Sequence, residues 1–216
     1  DMYWDVEIAP SPDDPGDAVA AEKFRELFRQ SVSRRLRSDV PLGTSLSGGL
    51  DSSSVLATMM ELGQASTYKT YSATFPGFER DESDYIRLAA DRYHVANHQV
   101  QPDIDYAIKN FEKISYHQEE PFQSSSIWAQ FSVYELAKQH QVKVLLDGQG
   151  ADEVLAGYSR YHPWYWQELY RQDKQRLKNE LTAARSAGVQ EPWDIKHKLA
   201  ATFPSYAVVF AKRQRS

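Results

Sequence analysis

The sequence contains no cysteine among its 216 residues. That absence excludes disulfides, cysteine-ligated zinc and a cysteine nucleophile within this segment, and it is compatible with the cytoplasmic location that we expect. No apolar run approaches the roughly 20 residues of a membrane-spanning helix, so we expect no membrane contact. An excess of positive charge is also missing: 25 Lys and Arg residues against 30 Asp and Glu residues give a formal net charge of −5. This balance argues against a nucleic-acid partner.

Several common site motifs are absent as well. Neither Gly-x-x-x-x-Gly-Lys nor Gly-x-Gly-x-x-Gly occurs, so the chain has no P-loop lysine and no dinucleotide fingerprint. Residues 43–47, Gly-Thr-Ser-Leu-Ser, do not form a nucleophile elbow. His94 and His98 are four residues apart, but they fall at a predicted helix end and in a predicted strand. We therefore expect no zinc site.

Two glycines and a run of hydroxyls follow an apolar stretch near the start of the chain. The sequence Leu-Ser-Gly-Gly-Leu-Asp-Ser-Ser occupies residues 46–53, the first loop, between a predicted strand and a predicted helix. Consecutive backbone N–H groups at such a turn, with the positive end of the helix dipole, favour a phosphate group. The glycines allow the backbone to approach an anion closely, and Asp51 can hold a divalent cation against that anion. The first loop is therefore a predicted phosphate site.

Strand-like and helix-like segments alternate up to about residue 155. This alternation predicts an α/β fold: a doubly wound, mainly parallel sheet with helices on both faces. The predicted strands are residues 42–46, 68–75, 96–100 and 142–146. The predicted helices are residues 18–37, 52–62, 82–93, 104–115 and 124–140, with Asp17 and Asp103 as N-caps. The side chains predicted to face inward are Phe24, Leu27, Phe28, Val32 and Leu36 in the first helix and Ile86, Leu88 and Ala89 in the third.

A second stretch of small residues follows the fourth predicted strand. It reads Asp-Gly-Gln-Gly-Ala-Asp-Glu at residues 147–153, the second loop. If the strand order is third, second, first, fourth, the two loops face each other at the switch point where doubly wound sheets bind ligands. Asp51 and Asp152 could then both bind one Mg²⁺ beside the phosphates of ATP. The alternative is two ordinary glycine-rich turns with capping Asp and Ser residues.

The two loops and their flanks carry a family resemblance. Residues 35–53, RLRSDVPLGTSLSGGLDSS, and residues 145–158, LLDGQGADEVLAGY, resemble the C-terminal synthetase domain of glutamine-dependent asparagine synthetase, of the N-type ATP pyrophosphatase superfamily. The resemblance runs from about Tyr3 to Tyr161. It implies an adenine nucleotide alpha-hydrolase-like fold that activates a carboxylate with ATP as an acyl-AMP. Ammonia from an N-terminal glutaminase domain then displaces AMP.

The resemblance also implies roles for individual residues. The residues implied to hold the pyrophosphate end of ATP are Ser47, Gly48, Gly49, Asp51, Ser52 and Ser53. Leu46 and Ala73 match positions that line the adenine and ribose, and Gly148 matches a position close to the activated intermediate. Asp51 and Asp152 match carboxylates associated with Mg²⁺. Gln149 and Asp152 are the candidate catalytic residues of the second loop.

Position 149 departs from the family pattern. Asparagine synthetases commonly carry Ser-Gly-Glu-Gly in the second loop, where the glutamate is considered important for acyl transfer, and this chain has Gln149 in that place. A glutamine side chain cannot take up a proton at neutral pH, so either the proton of ammonia goes elsewhere or the acceptor and the chemistry differ. The alternatives are a paralogue that amidates or cyclises a carboxylate other than aspartate, and a non-catalytic nucleotide-binding module.

The predicted organisation has three parts. Residues 1–16 are a linker from a missing N-terminal glutaminase domain, residues 17–157 an ATP pyrophosphatase-type α/β domain, and residues 158–216 a truncated helical extension. We expect the glutaminase cysteine and a catalytic lysine to lie outside this segment, which alone should be inactive. The predicted partners are a small carboxylate such as aspartate and glutaminase-derived ammonia, with no nucleic acid and no membrane, and a homodimer is left open.

Overall fold

Four parallel strands in the order β3–β2–β1–β4 form the sheet in a computed structural model that describes residues 15–63, 68–79, 81–189 and 191–203. The strands are β1 (Leu42–Ser45), β2 (Lys69–Ala73), β3 (Ala96–Val100) and β4 (Val144–Leu146). All three pairings are parallel. The predicted α/β class is therefore confirmed, and the strand order is the one considered from the sequence. β1 ends one residue earlier than predicted, β2 is shorter at both ends, and β4 begins two residues later.

The helices alternate with the strands as predicted and continue beyond β4. Their bounds are α1 (Asp17–Arg35), α2 (Leu50–Leu62), α3 (Ser83–Tyr93), α4 (Ile104–Gln118), α5 (Ser126–Gln139), α6 (Ala151–Leu155), α7 (Tyr161–Gln172), α8 (Lys174–Ser186) and α9 (Ile195–Thr202). The N-cap prediction for Asp103 is confirmed, since its side chain accepts a hydrogen bond from the N–H of Tyr106 at 2.7 Å. Within the described residues, no helix has the length and apolar character needed to cross a bilayer.

Helices cover both faces of the sheet. On one face, Leu42 and Leu46 of the β1 segment pack with side chains of α1, α2 and α3. On the other face, Tyr71 of β2 packs with Val133 and Ala137 of α5. Side chains alternate between the two faces along each strand, so both faces of this parallel sheet are apolar and buried.

Three predicted core positions are wrong. Phe24 and Leu27 of α1 are 44% and 55% exposed, and Leu88 of α3 is 68% exposed. In α3 the buried residues are Ile86 and Ala90, four apart and thus on one side of the helix. Leu88 lies two residues from each of them, which turns its side chain to the opposite side of the helix. Hydrophobic residue type alone does not decide which side faces the core.

Two helices begin earlier than predicted. Gly16, not Asp17, occupies the N-cap of α1, so Asp17 lies in the first turn of that helix. Gly49, with extended φ −67° and ψ 165°, occupies the N-cap of α2, and the helix begins at Leu50 rather than at residue 52. Asp51 therefore lies in the first helical turn, where the helix dipole favours a negative charge.

The chain divides into two compact units, the first ending at Gly148 and the second beginning at Gln149. In the second unit, Trp166, Leu169 and Leu177 form the buried centre of a helical cluster. Tyr170 and Trp193 pack against this centre, so aromatic side chains contribute to the core of the second unit. The domain boundary at 157–158 stays a prediction, and most of the predicted linker and the last residues of the predicted extension lie outside the described residues.

Candidate functional site

The backbone of Leu46 is held on both sides where the chain leaves β1. Its N–H donates to the carbonyl oxygen of Tyr71 at 2.9 Å, and its own carbonyl oxygen accepts from the hydroxyl of Ser72 at 2.6 Å. The side chain of Leu46 is only 1% exposed in the core. Both backbone polar groups of Leu46 therefore have partners inside the protein, and the residue is enclosed in the core.

Gly48 takes a conformation that other residues avoid. Its φ is +88°, in the left-handed region that favours glycine. A Cβ added at this position would lie 3.0 Å from the carbonyl oxygen of Glu82 and 3.0 Å from the Cβ of Tyr85. The turn of the first loop therefore requires glycine at position 48 for two independent reasons: conformation and space.

The hydroxyls of the first loop divide into two groups. Ser52 is buried, and its Oγ lies 3.0 Å from the Oγ of Ser47 and accepts from the N–H of Ser47 at 3.2 Å. The same Oγ donates to the carbonyl oxygen of Gly49 at 3.2 Å. Ser52 thus braces the loop, whereas the side chains of Asp51 and Ser53 make no hydrogen bond to any described residue and remain available to a ligand.

Gly148 brings the second loop against the start of α2. A Cβ added at position 148 would lie 2.9 Å from the Cβ of Asp51 and 3.0 Å from the backbone N of Ser52. Contacts this short require the absence of a side chain at position 148. The first loop and the beginning of the second loop therefore meet, as neighbouring β1 and β4 imply.

Leu46 and Ala73 lie at the carboxyl ends of neighbouring strands but on opposite faces of the sheet. Leu46 packs with Leu56 and Ile86, and Ala73 packs against the group that contains Tyr71 and Val133. The structure brings their backbones to the same edge of the sheet and does not bring their side chains together. A ligand that meets both residues would lie across the strand ends.

Tyr134 and Asp147 form a pair that the sequence reasoning missed. The hydroxyl of Tyr134, on α5, donates to Oδ2 of Asp147 at 3.2 Å, and Oδ1 of Asp147 is buried with no partner among the described residues. Burial, and then the carboxylate of Asp147, raise the pKa of Tyr134 to about 12. The pair could not be read from local pattern because it joins a helix to a strand end.

The two candidate catalytic residues of the second loop, Gln149 and Asp152, belong to the second unit. Gln149 is exposed, and Asp152 lies in the first turn of α6. A Cβ at Gly157 would lie 2.0 Å from Oδ1 of Asp152, so a side chain at position 157 would displace that carboxylate. Asp51 and Asp152 belong to different units, so a shared role in metal binding stays a prediction.

Asp51 has the chemistry of a magnesium ligand. Its carboxylate is partly buried and makes no hydrogen bond to a described residue. Within the part of the chain that the structure describes, no group of three or more Asp, Glu, His or Cys side chains gathers as a complete metal site. Mg²⁺ usually takes only one or two carboxylates from the protein and the rest of its oxygens from phosphates and water. The residues present fit that pattern.

The fold and the first loop define an α/β protein of the doubly wound class, with a glycine-bearing turn at the switch point of its sheet. Residues 23–208 match the family model described as asparagine synthase. The chain belongs to the asparagine synthase family, and the resemblance found in the two loops is confirmed.

Some curated relatives that match this chain are named asparagine synthetases, and others are named amidases. Asparagine synthetase [glutamine-hydrolyzing] 2 of Bacillus subtilis is 34% identical over 151 residues, which cover 67% of this chain and 20% of that protein. Amidase chry2 of Gibberella zeae is 29% identical over 174 residues, which cover 74% of this chain and 26% of that protein. The chain spans less than a third of the length of the curated relatives it matches.

Among solved structures, the glutamine-dependent NAD+ synthetase of Acinetobacter baumannii in complex with ADP is similar to this chain. The TM-score is 0.47 and the sequence identity 18%, over 71% of this chain and 29% of that chain.

Proposed function

We propose that this chain is the carboxylate-activating part of an ATP-dependent amidotransferase. The observation that carries the proposal is the approach of Gly148 to Asp51 and Ser52, which joins the two loops of the family resemblance. Membership of the asparagine synthase family supports it. In this function, a carboxylate oxygen of the acid attacks the α-phosphorus of ATP and pyrophosphate leaves. An amine then attacks the acyl carbon, and AMP leaves with the bonding electron pair.

The first loop would hold the pyrophosphate end of ATP. Gly48 carries no side chain that would cover the backbone at the helix start, and the available hydroxyl of Ser53 can donate to a phosphate oxygen. Ser47 and Ser52 would act mainly by keeping the loop in this shape, because their hydroxyls bond to each other. Asp51 and Asp152 would hold Mg²⁺, which would neutralise charge on the departing pyrophosphate.

The nucleoside would lie across the strand ends. Leu46 and Ala73, at the ends of neighbouring strands, would lie beneath the adenine and ribose, and Leu46 would shape that edge of the sheet without offering a free polar group. Gly148 packs against the start of α2 and would set the spacing of the two loops, with its backbone close to the acyl-adenylate. Recognition of this kind depends on the shape of the loops more than on individual side chains.

The acid is the open part of the proposal, and aspartate is the first candidate. Relatives named glutamine-hydrolysing asparagine synthetases favour aspartate as the acid and glutamine-derived ammonia as the nitrogen source. Gln149 favours a second candidate, amidation or cyclisation of another carboxylate, because an amide cannot accept the proton released by the attacking amine. Relatives named amidases also match this chain, so the relatives do not all carry the name asparagine synthetase.

Pyrophosphate release from ATP by the full-length protein tests the proposal. We expect release that depends on one acid in a panel of carboxylates. Aspartate-dependent release with asparagine as product selects asparagine synthesis, and release with only another acid selects the second candidate. Absence of release with every acid would overturn the enzyme proposal in favour of a nucleotide-binding module.

A matched pair of variants ties the release to the first loop. Asp51 and Asp84 both lie in the first turn of a helix, but Asp84 pairs on the surface with Arg87 at 2.9 Å. Asp51→Asn should abolish most of the release, whereas Asp84→Asn should leave it within about twofold, because exposed ion pairs contribute little. Equal activities of the two variants would contradict the assignment of Asp51.

A further inference from the structure

An arginine of the second unit is held over two aromatic rings. The guanidinium carbon of Arg160 lies 4.7 Å from the ring centroid of Tyr158 and 5.5 Å from that of Tyr161. The two rings meet edge to face, with centroids 5.7 Å apart. A guanidinium over a ring face is attracted by the negative face of the aromatic system. Tyr158 and Tyr161 therefore form a platform that fixes the cation of Arg160.

The second loop anchors this platform. The hydroxyl of Tyr158 donates to Oε1 of Glu153 at 2.8 Å. Among the described residues, Arg160 forms no ion pair with a carboxylate, and its side chain makes no hydrogen bond. Glu153 is close enough for its charge to interact with that of Arg160, but its hydrogen bond is with Tyr158 and not with the guanidinium. The result is a fixed and exposed cation with its N–H groups unused.

The chemistry of this arrangement favours an oxyanion. Stacking occupies the flat faces of a guanidinium and leaves the N–H groups around its edge, where they match two oxygens of a carboxylate or phosphate. Because the rings already hold the side chain, binding costs less ordering than it would for a mobile arginine. Trp164, 60% exposed with its ring 5.5 Å from that of Tyr161, extends the surface for the apolar part of a small ligand.

We propose that Arg160, on the platform of Tyr158 and Tyr161, is a binding site for the carboxylate or phosphate group of a small ligand. The inference rests on the proposed function in one respect, the identity of the ligand. The oxyanion would belong either to the acid substrate or to the nucleotide and its pyrophosphate. Arg160 lies outside the residues to which the family resemblance gives a role.

Calorimetric titration of the full-length protein tests this site. The probes are inorganic pyrophosphate, AMP, aspartate and succinate, each titrated at fixed ionic strength into wild type, Arg160→Gln, Arg160→Lys and Arg185→Gln. Arg185 is an exposed arginine of α8 that is not on an aromatic platform, and it serves as the matched control. Arg160→Gln should weaken the binding of at least one probe about tenfold or more, as expected for a charge-assisted bidentate contact.

The pattern of losses identifies the source of the oxyanion. Weaker binding of aspartate or succinate assigns the site to the acid, and weaker binding of pyrophosphate or AMP assigns it to the nucleotide. Arg160→Lys should fall between wild type and Arg160→Gln, because lysine keeps the charge but loses the two-oxygen geometry. Wild-type affinity of Arg160→Gln for all four probes, with an unchanged circular dichroism spectrum, would overturn the inference.

The outcome is separable from that of the proposed function. If wild type releases pyrophosphate and Arg160→Gln binds every probe normally, the inference fails and the proposed function stands. If wild type binds a probe through Arg160 but releases no pyrophosphate with any acid, the anion site stands and the proposed function fails. Arg160 is exposed, so both of its variants should fold, and Arg160→Lys provides a second reading if the glutamine variant is unstable.

Discussion

Ser72 fixes Leu46, the residue that enters the first loop, through a hydrogen bond of 2.6 Å from its hydroxyl to the Leu46 carbonyl oxygen. Ser72 is only 1% exposed, and its Oγ accepts from Nδ2 of Asn97 at 2.9 Å. Thr44 makes a similar bond of 2.6 Å to the carbonyl oxygen of Leu146, which precedes the second loop. Each loop thus begins next to a carbonyl group that is fixed by a hydrogen bond. In both cases the donor is a buried hydroxyl group on the neighbouring strand.

Removing the Ser72 hydroxyl should destabilise the fold. In Ser72→Ala the carbonyl oxygen of Leu46 and the amide of Asn97 both lose a buried partner, which should lower the free energy of unfolding by about 1–3 kcal/mol. Ser54→Ala is the control, because the Ser54 hydroxyl donates at 2.8 Å to the carbonyl oxygen of Leu50 at an exposed position. Its effect should stay within about 0.5 kcal/mol. Equal urea midpoints for the two variants would contradict this prediction.

Gly48→Ala should damage the first loop more than glycine replacement elsewhere. Gly77 has nearly the same φ, +86° against +88°, but a Cβ there would meet no atom within 4 Å, whereas at Gly48 it would meet Glu82 and Tyr85 at 3.0 Å. Gly77→Ala should cost about 1–2 kcal/mol from its left-handed conformation alone. Gly48→Ala should cost more and should also weaken pyrophosphate binding, measured by urea unfolding and calorimetry. Similar losses with unchanged binding would refute the structural role of Gly48.

Gly148→Ala should push the two loops apart. The added methyl group would lie 2.9 Å from the Cβ of Asp51, a contact that forces the backbone to shift. Such overpacking should lower the free energy of unfolding by about 1–3 kcal/mol. It should also raise the ATP concentration needed for half-maximal pyrophosphate release. Gly150→Ala is the control for the contact: a Cβ there meets open space, so this variant should lose stability only from its left-handed φ of +92° and should leave that ATP concentration nearer the wild-type value.

The sequence pattern was sufficient for the strand order and for the positions of both loops. Alternation of segments limits the topologies, and the switch-point rule then places the first loop beside the second. The sequence pattern could not predict the contact of Gly148 with Asp51 or the hydrogen bond from Ser72 to Leu46, because each joins residues that are far apart in sequence. It also misplaced Leu88, because the exposed side of a helix is set by the elements that pack against it.

A close pair of histidine rings should make stability depend on pH. The rings of His98, on β3, and His140, at the C-terminal end of α5, have centroids 3.8 Å apart, and Tyr71 stacks on His98 at 5.5 Å. Burial, and then the nearby His140 and Lys69, lower the pKa of His98 below its ordinary value of 6.5. Near pH 7.5 this histidine is neutral in both the folded and the unfolded states, so it costs nothing there.

Below about pH 6.5 the unfolded chain takes up a proton at His98 before the folded chain does, so the free energy of unfolding should fall as the pH falls. His98→Asn should flatten this decline between about pH 7.5 and 5.5, measured by urea unfolding at several pH values. His94→Asn is the control, because His94 is exposed at the end of α3 with φ 52°, which asparagine tolerates. A decline as steep in His98→Asn as in His94→Asn would show that the histidine pair does not carry the pH dependence.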